Sequence, residues 1–129
     1  MSINFLAVLA AAFSSFILGG LWYSPALFLK PWNKAMGRTD KDNGHPAKVF
    51  GLSFMFALVA AVVFALLLGP APALSEAWKA GLLVGVGFVA TSFGINYQFA
   101  NRPIVAWLID GGYHTMQFVL YGLILGAWH

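Results

Sequence analysis

Four stretches of this chain stay apolar for about the thickness of a bilayer's hydrocarbon core. A helix rises about 1.5 Å per residue, so roughly 20 residues cross about 30 Å. The stretches run from Ile3 to about Tyr23, from about Ala47 to Leu68, from about Ala77 to Phe99, and from Ile104 to about Trp128. Of the 129 residues, 60% are hydrophobic and 9% charged, whereas soluble domains carry about 25% charged residues. A domain this small could not hide so much apolar surface in its own core. The expectation is therefore one all-α unit over residues 1–129, a polytopic integral membrane protein with four transmembrane helices.

The breaks between the stretches carry the right punctuation. Ser24-Pro25, His45-Pro46 and Arg102-Pro103 place proline where a helix can begin without losing a bond. Gly69-Pro70-Ala71-Pro72 ends the second stretch, and Ser75 before Glu76 reads as an N-cap of the third. No Lys or Arg occurs before Lys30, so the first stretch lacks the basic start of a signal peptide and reads as a span.

The charges are unevenly placed. Lys30, Lys34, Arg38, Lys41 and Lys48 face only Asp40 and Asp42 in the first connection, which accounts for the whole net charge of +3. A single basic loop on an apolar chain points to a lipid surface and a topology signal, and away from nucleic acid. With Arg102 in the third connection and only Lys79 on the other side, the positive-inside rule puts both basic connections in the cytoplasm. Both termini then lie on the non-cytoplasmic side of a cell (inner) membrane. Residues 25–37 read as an interfacial segment, broken at Pro31, with Leu27, Phe28, Leu29, Trp32 and Met36 for lipid and Lys30 and Lys34 for headgroups. Arg38 to His45 reads as a short polar turn.

The second and fourth stretches match at a fixed offset. Pro46 falls on Pro103, Ser53 on Asp110, and Phe64–Gly69 on Tyr121–Gly126, while Ser14-Ser15-Phe16 resembles Thr91-Ser92-Phe93. This suggests two tandem helical hairpins related by an axis along the membrane normal, with any site between them.

Polar residues inside spans are costly and face protein or a cavity. Asp110 and His114 lie at i and i+4 on the fourth helix, about 9 and 15 Å from its start, and Gln117 and Tyr121 continue that face. Asn96 and Ser92 reach the same depth on the third helix, Ser53 on the second, and Ser14 and Ser15 on the first. The polar groups thus form one layer, from the cytoplasmic interface to mid-membrane. That suits a pocket or hydrogen-bond network better than a pore, which needs polar lining throughout. An Asp110–His114 pair would relay protons or hold a cation. The structural alternative pairs Asp110 with Arg102 or Asn96 as interhelical glue. The serines and Thr91 read as packing or back-bonding groups. The absence of cysteine excludes disulfides and thiolate chemistry. No two histidines have helical ligand spacing, so no metal site is read, and no cofactor is named.

Gly20-Leu21-Trp22-Tyr23-Ser24-Pro25, then Phe28 and Trp32, resembles the first signature of the family known as domain of unknown function 1761. Asn96-Tyr97-Gln98-Phe99-Ala100-Asn101-Arg102-Pro103, then Leu108-Ile109-Asp110 and Gly112-Tyr113-His114, is similar to that family's second half. The resemblance covers almost the whole chain. It implies a small four-helix membrane protein without an established activity, and it directs attention to Trp22, Tyr23, Asn96, Tyr97, Arg102 and Asp110.

Two functions compete. One is a membrane module that binds or moves a small solute or ion through a cytoplasm-facing pocket built on Asp110, His114, Asn96, Gln117, Ser53, Trp22, Tyr23, Tyr97 and Arg102, acting as a homo-oligomer. The other is an accessory or assembly subunit of a larger membrane complex, with a partner face along Gly122 and Gly126. An enzyme comes last, because one intramembrane acid and one histidine make a thin catalytic set.

Overall fold

A computed structural model describes residues 3–39, 41 and 43–129. The described residues are helical, without strands. Helix α1 (Phe5–Trp22) starts at Asn4, whose Oδ1 accepts the Ala7 N–H at 3.1 Å. Its small residues Ala7, Ala11, Ala12 and Ser15 form a buried stripe, and Phe5, Leu9, Phe13 and Ile17 stay exposed on the opposite side. Helix α2 (Leu29–Met36) falls within residues 25–37, the segment read as interfacial. It runs through Pro31, where a break was expected. Pro31 falls in the first turn, whose N–H groups have no intrahelical acceptor, so the missing donor costs nothing there. The helix ends on Gly37 at φ 65°, and Arg102 Nη1 donates to the terminal Met36 carbonyl at 3.1 Å. The polar turn expected at Arg38–His45 includes Asp40 and Asp42, which lie outside the described residues.

Helix α3 (Pro46–Leu68) begins with proline in its first turn, and the His45 Nδ1 accepts the Ala47 N–H at 3.2 Å. It packs on α1 through Phe54, which meets Phe13 and Phe16 at ring-centroid distances of 5.0 and 5.6 Å. The third stretch is one continuous run of 26 residues, Leu74–Phe99. It comprises α4 (Leu74–Val84), a π-helical segment (Gly85–Ala90) and α5 (Thr91–Phe99). It starts earlier than expected: Ala73 is the N-cap, and Ser75 lies inside the helix and does not cap it.

The π segment shifts the backbone register, and its carbonyls find side-chain partners. Thr91 Oγ1 donates to Gly87 O at 2.8 Å and Phe88 O at 3.1 Å, and Trp107 Nε1 donates to Ala90 O at 2.8 Å. These bonds tie the side chains of Thr91 and Trp107 to the segment's backbone.

Helix α6 (Ile104–Ala127) is the centre of the molecule, with ten buried residues. It packs closely on α4 and the π segment, and substantially on α1. The approach to α4 requires glycine. A Cβ on Gly81 would lie 2.1 Å from Phe118 O, and one on Gly122 2.3 Å from Ala77 O. Gly126 likewise lies against Leu74 and Ala77. The pair Gly122 and Gly126, expected as a partner face, is therefore filled by this chain's own α4.

Among the described residues, three helices are long and apolar enough to cross a membrane: Phe5–Trp22, Pro46–Leu68 and Leu74–Phe99, with mean hydropathies of 2.0, 2.7 and 1.4. Helix α6 has 24 residues, a length of about 36 Å, but Asp110, His114 and Gln117 lower its hydropathy. Its neighbours explain why it tolerates them. Its side chains meet protein where those of α1 and α3 meet the surroundings.

The connections sort to two ends. Arg102 bridges the third connection to α2, while Asn4 Nδ2 donates to Trp128 O at 3.3 Å. Residues Ile3, Asn4, Pro70, Pro72 and Trp128 line one small cleft at that second end.

Candidate functional site

The polar residues form two linked groups on α6. Asp110 is buried, and both its oxygens accept tyrosine hydroxyls at 2.5 Å: Oδ1 from Tyr23, just beyond α1, and Oδ2 from Tyr97 on α5. Trp22 adds a bond from Nε1 to Ile109 O at 2.9 Å. Three segments are thus tied at one level. Tyr23 is also held by rings: Trp32 of α2 lies edge-on at 5.3 Å and Tyr113 at 5.6 Å.

This arrangement differs from both pairings expected for Asp110. Arg102 is exposed and bonds Met36 O. Asn96 is exposed as well, in a groove with Phe88, Val89, Ser92 and Phe93. Its neighbour Tyr97 points at Asp110, because one residue turns the direction by about 100° on a helix. Nor do Asp110 and His114 pair with each other. They share a face, yet His114 Nδ1 lies 2.6 Å from Gln117 Oε1.

The second group runs along α6 toward its far end. Gln117 Nε2 bonds the Tyr121 hydroxyl at 2.8 Å, and that hydroxyl reaches Ser15 Oγ at 3.4 Å and Ala57 O at 3.3 Å. Proton positions follow from the ends of this chain. Ser15 Oγ donates to Ala12 O at 2.7 Å, so toward Tyr121 it can only accept. Ala57 O is likewise only an acceptor. The Tyr121 proton goes to one of these, so the Gln117 amide nitrogen donates to Tyr121. Gln117 Oε1 then faces His114 and accepts from Nδ1–H. In the neutral ring this leaves Nε2 as the acceptor. The ring is held flat on Phe93, with centroids 4.9 Å apart and planes at 17°.

Beside this chain lies a cavity of about 450 Å³. Ser15 and Phe16 of α1, with Tyr113, His114, Gln117 and Phe118 of α6, form its floor. Ser53, Phe56, Ala57 and Ala60 of α3 form one wall, and Val89 of the π segment the other. Three of the expected site residues, Ser53, His114 and Gln117, therefore meet here. Asp110, Tyr23, Tyr97 and Trp22 form the adjoining latch, while Asn96 and Arg102 join neither.

Sequence reasoning gave no role to Tyr113, whose hydroxyl donates to Ser15 O at 2.8 Å, or to Phe93 beneath His114. Their signal was helical phase: Phe93 and Tyr97 lie at i and i+4, and Tyr113 adjoins His114. Ser14 and Ser15 do back-bond, to Ala11 O at 2.6 Å and Ala12 O at 2.7 Å. Among the described residues there is no group of three or more His, Asp or Glu side chains able to hold a metal ion.

The family model described as protein of unknown function DUF1761 matches residues 6–126. The chain belongs to that family. Neither a curated protein nor a solved structure matches it. Both the latch and the cavity fall within the matched region, as do all nine expected site residues.

Proposed function

We propose that this DUF1761 protein is a four-span membrane protein that binds a small solute in the cavity between α1, α3, the π segment and α6. One observation carries the reading: a space of about 450 Å³ is lined by His114, Gln117, Ser53, Ser15 and Tyr113 among apolar residues of α1, α3, the π segment and α6. Small-molecule sites typically measure about 300–1,000 Å³, with a few placed polar groups in apolar surroundings. The Asp110–Tyr23–Tyr97 latch serves as a positioning device. It holds the ends of α1 and α5 against α6 and so fixes the floor of the cavity.

In this reading α6 is the fourth span, shielded by its neighbours. The end bearing Lys30, Lys34, Arg38 and Arg102 is cytoplasmic, and the end bearing Asn4 and Trp128 lies outside. The bond from Arg102 to Met36 O supports placing both basic connections on one side.

Native mass spectrometry of the protein in lipid nanodiscs tests the proposal. Retention of a small-molecule mass that Ala60→Trp removes is the expected result. A defined foreign subunit travelling with an otherwise empty chain would replace the proposal with an accessory role.

A further inference from the structure

The cavity's lining narrows what it takes. None of the lining residues is Asp, Glu, Lys or Arg, so nothing there balances a full charge, and an unpaired ion in such surroundings is strongly disfavoured. Most polar atoms on the floor are already committed. Tyr113 donates to Ser15 O, Ser15 to Ala12 O, and Gln117 uses both ends of its amide. Two lining side-chain atoms carry no hydrogen bond among the described residues: His114 Nε2, an acceptor in the neutral ring, and the Ser53 hydroxyl. A hydroxyl group, which can both donate and accept, suits either of them.

The route in follows from packing. Helix α3 packs on α1 and thinly on α6, without substantial contact to the Leu74–Phe99 helix. The two walls of the cavity therefore stand apart. Phe56 on the α3 wall is 70% exposed, and the exposed residues of α3 beyond Ser53 are all apolar. The mouth opens sideways into the bilayer, not along the bundle axis toward the cytoplasm.

Resting on the reading of the cavity as a binding site, we propose that its ligand is an uncharged, lipid-soluble molecule with a hydroxyl at its polar end. It enters laterally between α3 and the π segment and donates to His114 Nε2. The apolar body lies against Phe16, Phe56, Val89 and Phe118.

The test uses three photoreactive probes on one alkyl skeleton: a diazirine-bearing long-chain alcohol, the matching carboxylate, and the matching trimethylammonium. Each is titrated into the full chain in phosphatidylcholine vesicles, and labelled residues are mapped by peptide mass spectrometry. The alcohol is expected to label the walls near Phe56 and Val89 saturably, and the unmodified alcohol to compete it away. His114→Phe keeps the stack on Phe93 but removes the acceptor, and should raise the half-saturating concentration about tenfold. Ala60→Trp fills the space without touching the hydrogen bonds and should abolish saturable labelling. Saturable labelling by the carboxylate or the ammonium, with the alcohol failing, would overturn the ligand class while leaving the binding site standing. No saturable labelling by any probe would overturn both. Unchanged affinity in His114→Phe, with labelling lost in Ala60→Trp, would refute the polar contact.

Discussion

The close packing of α4 on α6 gives the sharpest quantitative prediction. In Gly122→Ala the new Cβ would lie 2.3 Å from Ala77 O, 2.7 Å from Ala77 C and 2.8 Å from the Trp78 Cα. All three are backbone atoms of α4, so no side chain can swing aside. Ordinary contact begins at 3.4 Å, so α4 and α6 must part locally by about 1 Å. A gap of 0.5–1 Å forfeits about a quarter to a half of each dispersion contact it opens, and overpacking typically costs about 1–3 kcal/mol. Because the same contact continues through Gly81, Gly85 and Gly126, the upper part of that range, about 2–3 kcal/mol, is expected. Gly51→Ala is the matched control: it lies in a helix and its Cβ would meet nothing within 4 Å. There the gain in helix propensity, about 0.5–1 kcal/mol, should appear alone. Reversible SDS unfolding from detergent micelles, followed by tryptophan fluorescence, separates the two. Equal stabilities for the two variants would refute the close-approach argument.

Tyr97→Phe leaves Asp110 Oδ2 buried without its donor and should destabilise the fold by about 1–3 kcal/mol. In a double-mutant cycle with Asp110→Asn the two losses should prove strongly non-additive, and simple additivity would argue that the bond contributes nothing. Trp107→Phe strips Ala90 O of its partner at the end of the π segment. Faster amide exchange confined to residues 85–95 is the expected readout, and unchanged protection would show the indole bond to be incidental. The chain has no cysteine, so single cysteines report sidedness cleanly. A membrane-impermeant maleimide on intact cells should label Ser75→Cys and spare Asn43→Cys, and the reverse would invert the proposed orientation.

Much of the architecture was legible because membrane spans are written in run length and punctuation. The second and fourth runs, about 47–68 and 104–128, became Pro46–Leu68 and Ile104–Ala127. Hydropathy says how greasy a stretch is, and prolines and glycines say where it stops. The position of each polar residue along its helix was legible for the same reason, since distance along a helix is counted in residues.

Direction around the helix was harder. Asn96 and Tyr97 sit at the same depth, and only packing decides which faces α6. The offset match between α3 and α6 shows the same limit. Phe64 and Tyr121 do share one core cluster, yet Ser53 is exposed where its counterpart Asp110 is buried. The similar patterns occupy unequal places, one at the rim and one at the centre. The π segment left no advance signal, and one of the bonds to its carbonyls comes from Trp107, a residue of another helix.

The sequence by itself determined that this chain has apolar helices able to cross a bilayer, roughly where the long ones begin and end, and how far along each helix its polar groups lie. Those properties are local: each follows from a window of neighbouring residues and the 1.5 Å rise. Tertiary structure alone decided which helix is central, that the glycines serve an internal contact, and that Asp110 answers to two tyrosines while His114 answers to Gln117. These depend on which faces meet, and a face is chosen by the joint packing of several helices, which no single window contains.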